Sequence, residues 1–351
     1  MVRKSIIDRI GETPIISLRL DEDSKAHVYA KLEMQNPFGM KDRVAKNMIM
    51  KALQSGRLKI GDPIVESSSG TLALGVALVG TYLGHEVHII TDPRIDELTH
   101  KKLKALGAHV HIVDKMGNEG GWQQARLEYL DRFLAEHPTA FWPCQYENPD
   151  NPLAYEGLAA DLTNEIGKID FLVGGVGSGG SLCGAAHALK KWNPHLKVIA
   201  VDAVGSSIFE QSDIPKRLQG GLGNSLKPKN VDYSIIDDVH WLNDEEAFAW
   251  TLELARHEKI FAGNSSGSVY AVGRWLSKQV SPDQNIACIF PDRGDRYVNT
   301  IYDESYCREH ILQTAYLNLA PERHESIIDV KTWSYVQYDR GRLAREKTTV
   351  C

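Results

Sequence analysis

The chain has 351 residues, of which 42% are hydrophobic and 25% are charged, and its formal net charge is -6. This composition is that of a globular protein with room for two α/β domains or one large one, and the negative charge, without a long basic run, excludes electrostatic binding of nucleic acid. No apolar run approaches the roughly 18 residues of a membrane span, and residues 1–12 lack the apolar core of a signal peptide, so we expect a cytoplasmic protein without a membrane partner.

From residue 26 onward, short β-rich runs alternate with helical patterns, which predicts an α/β fold with parallel strands covered by helices. In chain order the strand candidates are HVYAKLE, PIVESS, EVHIITD, HVHIV, AFWPCQ, DFLVGG, KVIAVDA and IACIFPD. The helix candidates between them are RVAKNMIMKALQSG, LALGVALVGTYLG, ELTHKKLKALG, WQQARLEYLDRFLAEH and EEAFAWTLELARHEK. The five cysteines are scattered without metal-ligand spacing, so we expect no metal site.

A glycine-rich segment, GGVGSGGSLCGAAHALKKW at residues 174–192, follows an apolar strand candidate and leads into a helix. Ligands of doubly wound sheets bind where strands end, and a helix start preceded by Gly and Ser offers N–H groups and hydroxyls to a phosphate. A dinucleotide is one candidate, but Asp202, the acidic residue near the required distance, is followed by AVGSS. A cofactor with a single phosphate fits at least as well.

Two further junctions carry clustered hydroxyls at the start of a helix. VESSSGTLALG, residues 65–75, either caps its helix with serines or binds a carboxylate through Ser68 and Ser69. FAGNSSGSVYAVG, residues 261–273, is followed at a strand end by FPDRGDRY, residues 290–297. Neither segment identifies a reaction by itself.

NPFGMKDRVAKN, residues 36–47, places Lys41 directly after a Pro-Gly turn, where it could equally be a solvated lysine at a helix start. Pyridoxal 5'-phosphate requires a lysine for its Schiff base, a phosphate loop and a partner for its ring nitrogen. The sequence offers all three, which indicates a pyridoxal-phosphate enzyme.

Over roughly residues 5–300 the chain resembles the cysteine synthase and cystathionine β-synthase family, the fold-type II pyridoxal-phosphate enzymes. IIDRIGETPIISL resembles the family's I-G-x-T-P-[LI], KLEMQNPFGMKDR resembles K-x-E-x-x-N-P-x-G-S-x-K-D-R, ESSSG resembles E-[ST]-[ST]-S-G-N and GVGSGGSLCG resembles the G-T-G-G-T phosphate loop. GNSSGS and FPDRGDRY match the closing motifs in the same order.

The resemblance implies a tryptophan synthase β-like fold of two domains, each with a central, mostly parallel sheet flanked by helices. Residues 1–45 and 154–310 would form the larger cofactor-binding domain, and residues 46–153 the smaller, mobile substrate-binding domain. Residues 311–351, which are polar and rich in Arg, Glu and Thr, would form a C-terminal tail or cap. Family members are usually homodimers, so we expect a homodimer.

The resemblance also implies roles for individual residues. Lys41 would hold the cofactor and act as the catalytic base, Ser265 would face the pyridine nitrogen, and Thr71 stands where the family has an Asn that contacts the cofactor's O3'. The phosphate would be bound by Gly177, Ser178, Gly179, Gly180 and Ser181. The substrate carboxylate would be bound by Ser68, Ser69 and Gln145. Besides Thr71, one departure from the family stands out: the turn before Lys41 is one residue short.

Four segments, MGNEGGWQQAR, WPCQYENP, IAVDAVGSSIFE and FPDRGDRY, are most similar to the 2,3-diaminopropionate-forming synthases of siderophore and antibiotic pathways, which use O-phospho-L-serine. Arg126 and Tyr146 match their phosphoryl-contacting positions, although a solvated helix arginine is the plain alternative for Arg126. The resemblance implies β-replacement through an α-aminoacrylate, which adds an amino-acid amine and forms a C–N bond. Gly177 instead resembles ordinary cysteine synthases, so the alternative is addition of sulfide or another thiol to O-acetyl- or O-phospho-L-serine. A non-catalytic regulatory protein is the third hypothesis.

Overall fold

The computed structural model describes residues 2–19, 21–117 and 121–338. In chain order the strands are β1 (Ile15–Ser17), β2 (His27–Lys31), β3 (Ile64–Ser67), β4 (Val87–Thr91), β5 (His109–Ile112), β6 (Phe171–Gly175), β7 (Lys197–Ala203), β8 (Asp238–Leu242), β9 (Asn285–Ile289), β10 (Glu322–His324) and β11 (Ser334–Gln337). The α-helices are α1 (Lys41–Gln54), α2 (Thr71–Tyr82), α3 (Glu97–Ala105), α4 (Gly121–Glu136), α5 (Asp150–Leu153), α6 (Glu156–Ile166), α7 (Gly180–Lys190), α8 (Asp244–Glu258), α9 (Asn264–Ser277) and α10 (Glu304–Glu309).

The chain divides into two compact units. The smaller unit contains Met1–Glu12 and Met34–Ala154, and the larger unit contains Thr13–Glu33 and Tyr155–Cys351. The boundary at residue 154 lies close to the expected one, whereas residues 1–12 and 34–45 belong to the smaller unit rather than the larger. The physical reason is that α1 packs against α2 of the smaller unit and cannot be divided, while the Arg43 side chain on α1 donates to the Gly11 carbonyl at 2.8 Å.

The larger unit is built on an eight-stranded sheet with the order β1-β2-β9-β6-β7-β8-β11-β10. The neighbouring pairs from β2 to β8 are all parallel, whereas β1 and β11 pair with β2 and β8 in the antiparallel sense. The central strands read as continuous apolar runs because helices cover both faces of such a sheet. The expected α/β fold with a mostly parallel sheet is therefore confirmed.

The smaller unit has a three-stranded parallel sheet with the order β3-β4-β5. Helix α2 is apolar almost all round and buried from Leu72 to Gly80. A Cβ at Gly80 would lie 2.5 Å from the Val87 side chain, so only glycine lets the helix approach β4 this closely. In the described residues, no helix has both the length and the apolar character that crossing a membrane would require.

The predicted strand AFWPCQ, residues 140–145, is wrong. This segment makes only an isolated bridge, between Phe141 and Ile64. Pro143 has no N–H to donate to a sheet, and Cys144 has a φ of 51°, which ends the extended backbone.

Residues 311–338, expected to form part of a tail or cap, contribute two strands to the larger sheet. β11 pairs with β8 from Ser334 opposite Trp241 to Gln337 opposite Asp238, and β10 pairs with β11. Trp333 is buried beside these strands. The C-terminal segment is therefore part of the larger core up to residue 338, and residues 339–351 of the expected tail lie outside the described residues.

Candidate active site

Lys41 is the first residue of α1, and the residues around it explain its position. Gly39 has a φ of 132°, a conformation that favours glycine, and this turns the chain toward the helix. The Asp42 carboxylate accepts a 2.7 Å hydrogen bond from the Phe38 N–H and closes the turn. Burial lowers the pKa of Lys41 from 10.5 to about 8, so a substantial fraction of its amine is neutral near physiological pH. A lysine in this state suits nucleophilic or general-base chemistry.

The serine loop lies at the carboxyl end of β3, directly before α2. The Ser68 N–H donates to the Ile90 carbonyl at 3.1 Å, and the Ser68 hydroxyl accepts from the Gly70 N–H at 3.3 Å. Gly70, the residue before α2, has no side chain with which to cap the helix, and its own N–H is the one that the Ser68 hydroxyl binds, so a serine fulfils the expected capping role in part. Thr71, half-buried, is the first residue of α2. The loop therefore presents hydroxyls and helix-start N–H groups that can bind an anion.

Arg126 on α4 is not the solvated arginine that the alternative hypothesis describes. Its side chain is only 13% exposed, and one terminal nitrogen lies 3.1 Å from Asp92 Oδ2 and 3.3 Å from Ser69 Oγ. Burial lowers the pKa of Arg126, while Asp92 and Tyr146 act in the opposite direction. The fold thus brings Arg126 to the serine loop, as a site for an anionic group requires.

Three charged residues beside Arg126 escaped the sequence analysis: Glu66, Asp92 and Arg94. Asp92 follows the last residue of β4. Arg94 donates two hydrogen bonds to the Asp92 carboxylate, from Nε at 2.9 Å and from a terminal nitrogen at 3.1 Å. Glu66 in β3 accepts from the Ser67 N–H at 2.8 Å, and burial raises the pKa of Glu66 to about 7. The available signal was the polar DPR sequence directly after an apolar strand, at the same sheet edge as the serines.

Gln145 and Tyr146 lie on the loop that follows Phe141. Gln145 is buried, and its carbonyl accepts from the Asn151 side chain at 2.6 Å. Tyr146 is exposed and interacts electrostatically with Arg126. Cys144, with its left-handed backbone, directly precedes this pair and turns the loop.

The glycine loop of the larger unit connects β6 to α7. Gly179 has a φ of 83°, and a Cβ there would lie 2.8 Å from both the Asn230 carbonyl oxygen and the Val231 nitrogen. A Cβ at Gly177 would lie 3.1 Å from the Gly221 carbonyl oxygen. Ser178 and Ser181 are buried, Gly180 is the first residue of α7, and no side chain caps this helix. The loop is a tight backbone cradle at a helix start, which suits a phosphate.

Ser265, the second residue of α9, supplies the clearest test of whether a pyridine-type cofactor fits the larger unit. It is 2% exposed, and its hydroxyl has no hydrogen-bond partner in the described part of the chain. Gly175 and Gly221 lie beside it, each within 4 Å of the side chain if a Cβ is placed there. A buried hydroxyl without a partner is costly, and a ring nitrogen would satisfy it. Asp202, the residue considered for a dinucleotide, is instead buried within β7.

The predicted site residues are divided between the two units. The smaller unit contains Lys41, Ser68, Ser69, Thr71, Arg126, Gln145 and Tyr146, of which Arg126 and Ser69 are joined by a hydrogen bond. The larger unit contains Gly177, Ser178, Gly179, Gly180, Ser181 and Ser265. Apart from Arg126, which lies within α4, these residues lie on loops or at helix starts.

Comparison with known proteins shows which family the chain is similar to. Residues 6–292 match the family described as "Pyridoxal-phosphate dependent enzyme". An N-(2-amino-2-carboxyethyl)-L-glutamate synthase from Ralstonia nicotianae is 39% identical over 311 residues, covering 87% of this chain and 91% of the relative. A synthase of the same name from Cupriavidus metallidurans is 36% identical over 327 residues, covering 91% and 96%. The crystal structure of a cysteine synthase from Entamoeba histolytica matches with a TM-score of 0.81 at 27% identity, covering 86% of this chain and 91% of that one.

Proposed function

We propose that this chain, which belongs to the family of pyridoxal-phosphate-dependent enzymes, joins the β-carbon of an O-activated L-serine to the amine of L-glutamate. Family membership confirms the cofactor and the enzyme class that the motifs predicted. The product would be an L-glutamate whose nitrogen carries a 2-amino-2-carboxyethyl group, as in the names of the two synthases. The reaction replaces the β-oxygen of the serine unit by nitrogen, so it is the C–N bond-forming β-replacement that the sequence predicts.

Lys41 carries the proton transfers in this proposal. When bound, pyridoxal 5'-phosphate withdraws electrons from the Cα of an amino acid and so makes the Cα proton acidic. With its pKa lowered to about 8, Lys41 Nζ can accept that proton near neutral pH and later return it. An ordinary exposed lysine would be almost fully protonated under the same conditions.

The serine loop would orient the substrate through its carboxylate. Ser69 and the start of α2 offer hydrogen-bond donors at the end of β3, and Ser68 lies buried next to them. A carboxylate at a helix start is stabilised by the N–H groups and by the helix dipole. This contact would fix which face of the substrate Lys41 can reach.

Ser265 would set the electronic character of the cofactor. Its hydroxyl is neutral, so unlike a carboxylate it does not stabilise a proton on the ring nitrogen. A weaker electron sink favours loss and replacement of a β-substituent over transamination, in agreement with the proposed reaction.

The inference that the substrate is O-phosphorylated rests on one observation, the buried guanidinium of Arg126 beside Ser69. A guanidinium binds phosphate by charge-assisted hydrogen bonds, and it would stabilise the negative charge that develops on the departing oxygen. An acetyl ester is neutral before its C–O bond breaks, so it offers Arg126 no charge to bind in the substrate. We therefore infer O-phospho-L-serine as the activated substrate.

Cysteine or cystathionine synthesis is the second candidate, favoured by Gly177 and by the likeness to the Entamoeba cysteine synthase. A non-catalytic protein is disfavoured by the lowered pKa of Lys41 and by the unpartnered Ser265 hydroxyl, since neither is needed for folding alone. From family likeness we also infer a homodimer in the cytoplasm, and light scattering of the purified protein tests the oligomeric state.

The test combines one activated serine with one acceptor at a time. Purified holoenzyme would be incubated with O-phospho-L-serine or O-acetyl-L-serine, each with L-glutamate, sulfide or homocysteine, and the products identified by mass spectrometry. We expect O-phospho-L-serine and L-glutamate to give the C–N product together with stoichiometric phosphate. A preference for sulfide or homocysteine would overturn the proposal in favour of a thiol-adding synthase.

A further inference from the structure

A fully buried carboxylate, Asp92, lies between two guanidinium groups at the carboxyl end of β4. Arg126 approaches Asp92 Oδ2 at 3.1 Å from one side, while Arg94 contacts both carboxylate oxygens, at 2.9 and 3.1 Å, from the other. Arg126 is largely buried, whereas Arg94 is 62% exposed. Asp92 is therefore the most buried of the three groups, with a largely buried guanidinium on one side and an exposed one on the other.

A carboxylate beside a site for an anion requires a physical reason, since like charges repel. Two guanidiniums against the Asp92 carboxylate leave one positive unit, and Glu66, with its pKa raised to about 7, is only partly ionised near neutral pH and offsets only part of it, so the cluster still attracts a phosphate. The Arg94 side chain keeps Asp92 ionised: burial acts to raise the pKa of this carboxyl, but the hydrogen bonds and charges of Arg94 and Arg126 outweigh it and lower the pKa. Asp92 can thus remain a charged acceptor while it is buried.

Asp92 has a further effect on Arg126. An arginine side chain has many rotamers, and holding one in place for a ligand costs about 0.5–1.5 kcal/mol. The contacts to Asp92 and Ser69 fix the terminal nitrogen of Arg126 before a substrate arrives. Such an arrangement reduces the entropic cost of binding a phosphate in one geometry.

We propose that Asp92 is a positioning residue that makes the enzyme select an O-phosphorylated over an O-acetylated serine by holding the Arg126 guanidinium against the serine loop. This inference rests on the proposed function, because it assumes that Arg126 receives the phosphate. Asp92 itself does not touch the reacting atoms.

A competing explanation gives the opposite sign. If Asp92 were only a counter-ion that competes with phosphate for Arg126, removing its charge would strengthen phosphate binding. If Asp92 positions Arg126, removing its charge frees the guanidinium and weakens phosphate binding. The variant Asp92→Asn, which is nearly identical in shape, separates the two explanations.

Steady-state kinetics of the holoenzyme with each activated serine provide the test. For Asp92→Asn we expect KM for O-phospho-L-serine to rise about tenfold, the equivalent of about 1.4 kcal/mol, with kcat/KM for O-acetyl-L-serine unchanged. Inorganic phosphate, used as a competitive inhibitor, should bind more weakly by the same factor. The control is Asp96→Asn, which removes one charge from the same loop and keeps an acceptor for the Thr99 N–H at the start of α3.

An unchanged or lowered KM for O-phospho-L-serine in Asp92→Asn overturns the proposal. If that variant does not fold, Arg126→Lys decides, because lysine keeps the charge but has one nitrogen, so contact with Asp92 and Ser69 leaves no second nitrogen to bind phosphate. A wild-type preference for O-phospho-L-serine in Arg126→Lys would then overturn the positioning role. A wild-type enzyme without that preference would instead contradict the proposed substrate, which is a distinguishable outcome.

Discussion

Trp333 in the C-terminal segment offers a direct test of whether residues 311–338 belong to the core of the larger unit. Its side chain is 1% exposed and packs edge-on against Trp250 and Trp275, with ring centroids 6.3 and 6.5 Å away. Its indole N–H donates to His240 Nδ1 at 3.3 Å, and its backbone N–H donates to Glu246 Oε1 at 2.8 Å. A detachable tail would not bury its largest side chain in this way.

These contacts set the expected magnitude. Truncating a buried tryptophan to alanine removes its apolar burial and leaves a cavity, which together cost about 3–5 kcal/mol. The indole hydrogen bond adds about 1 kcal/mol, because His240 Nδ1 then loses its donor. We therefore expect Trp333→Ala to lower the free energy of unfolding of the larger unit by about 5 kcal/mol, and Trp333→Phe, which keeps a ring, to lower it by about 1–2 kcal/mol.

Urea unfolding followed by far-ultraviolet circular dichroism measures both variants, with the cofactor concentration held constant because bound ligand shifts the midpoint. The matched control is Trp192→Ala, since Trp192 lies in the same unit but is 76% exposed, and its loss should change stability by less than about 0.5 kcal/mol. If Trp333→Ala costs no more than Trp192→Ala, the C-terminal segment does not contribute to the core and the packing argument fails.

Three other predictions concern the cofactor and pH. Lys41→Ala should abolish the visible absorbance of the covalently held cofactor, and a retained spectrum would disprove its role as the anchor. Gly179→Ala should weaken binding of pyridoxal 5'-phosphate in a fluorescence titration by at least tenfold, because the new Cβ meets the backbone of Asn230 and Val231 at 2.8 Å; unchanged affinity would contradict the cradle. Burial lowers the pKa of His240 to about 3, so as pH falls below about 6.5 this histidine is protonated in the unfolded state but not in the folded state. The free energy of unfolding should therefore fall by about 2 kcal/mol from pH 7 to pH 5 on account of His240. In His240→Gln, urea titrations at the two pH values should show a fall that is smaller by this amount.

The fold could be predicted for those segments whose local sequence pattern matches their burial and position in the folded chain. The apolar runs of β6 and β7 become central parallel strands, and glycine-rich or serine-rich loops follow strands at the edge where ligands bind. β1, β8, β10 and β11 escaped prediction. β1 and β10 have only three residues each, and β11 is placed by antiparallel pairing with a distant strand, which local sequence does not encode. AFWPCQ failed for the opposite reason, since Pro143 and the left-handed Cys144 override an apolar pattern.

In the candidate site, too, some residues could be predicted from the sequence and others could not. Family motifs pointed to Lys41 and to the glycine loop because their backbone requirements are local, and those assignments of individual roles stay predictions. The state of Arg126 was not predictable, because it depends on Asp92 and Ser69, which come from other strand ends. An isolated arginine on an amphipathic helix looks solvated in sequence, and only tertiary pairing makes it a buried cation.

The shortened turn before Lys41 shows how a motif can lose a residue and still deliver its lysine to the start of a helix. The turn is closed by Asp42, whose carboxylate accepts a hydrogen bond from the Phe38 N–H four residues earlier. Gly39 adopts the positive φ that the tight turn requires. Because Asp42 is an acidic residue in the first turn of α1, its negative charge also interacts favourably with the helix dipole and stabilises the helix. Arg43 then ties the same turn to the Gly11 carbonyl. The lysine is therefore positioned by its two following neighbours, Asp42 and Arg43, rather than by the length of the loop that precedes it.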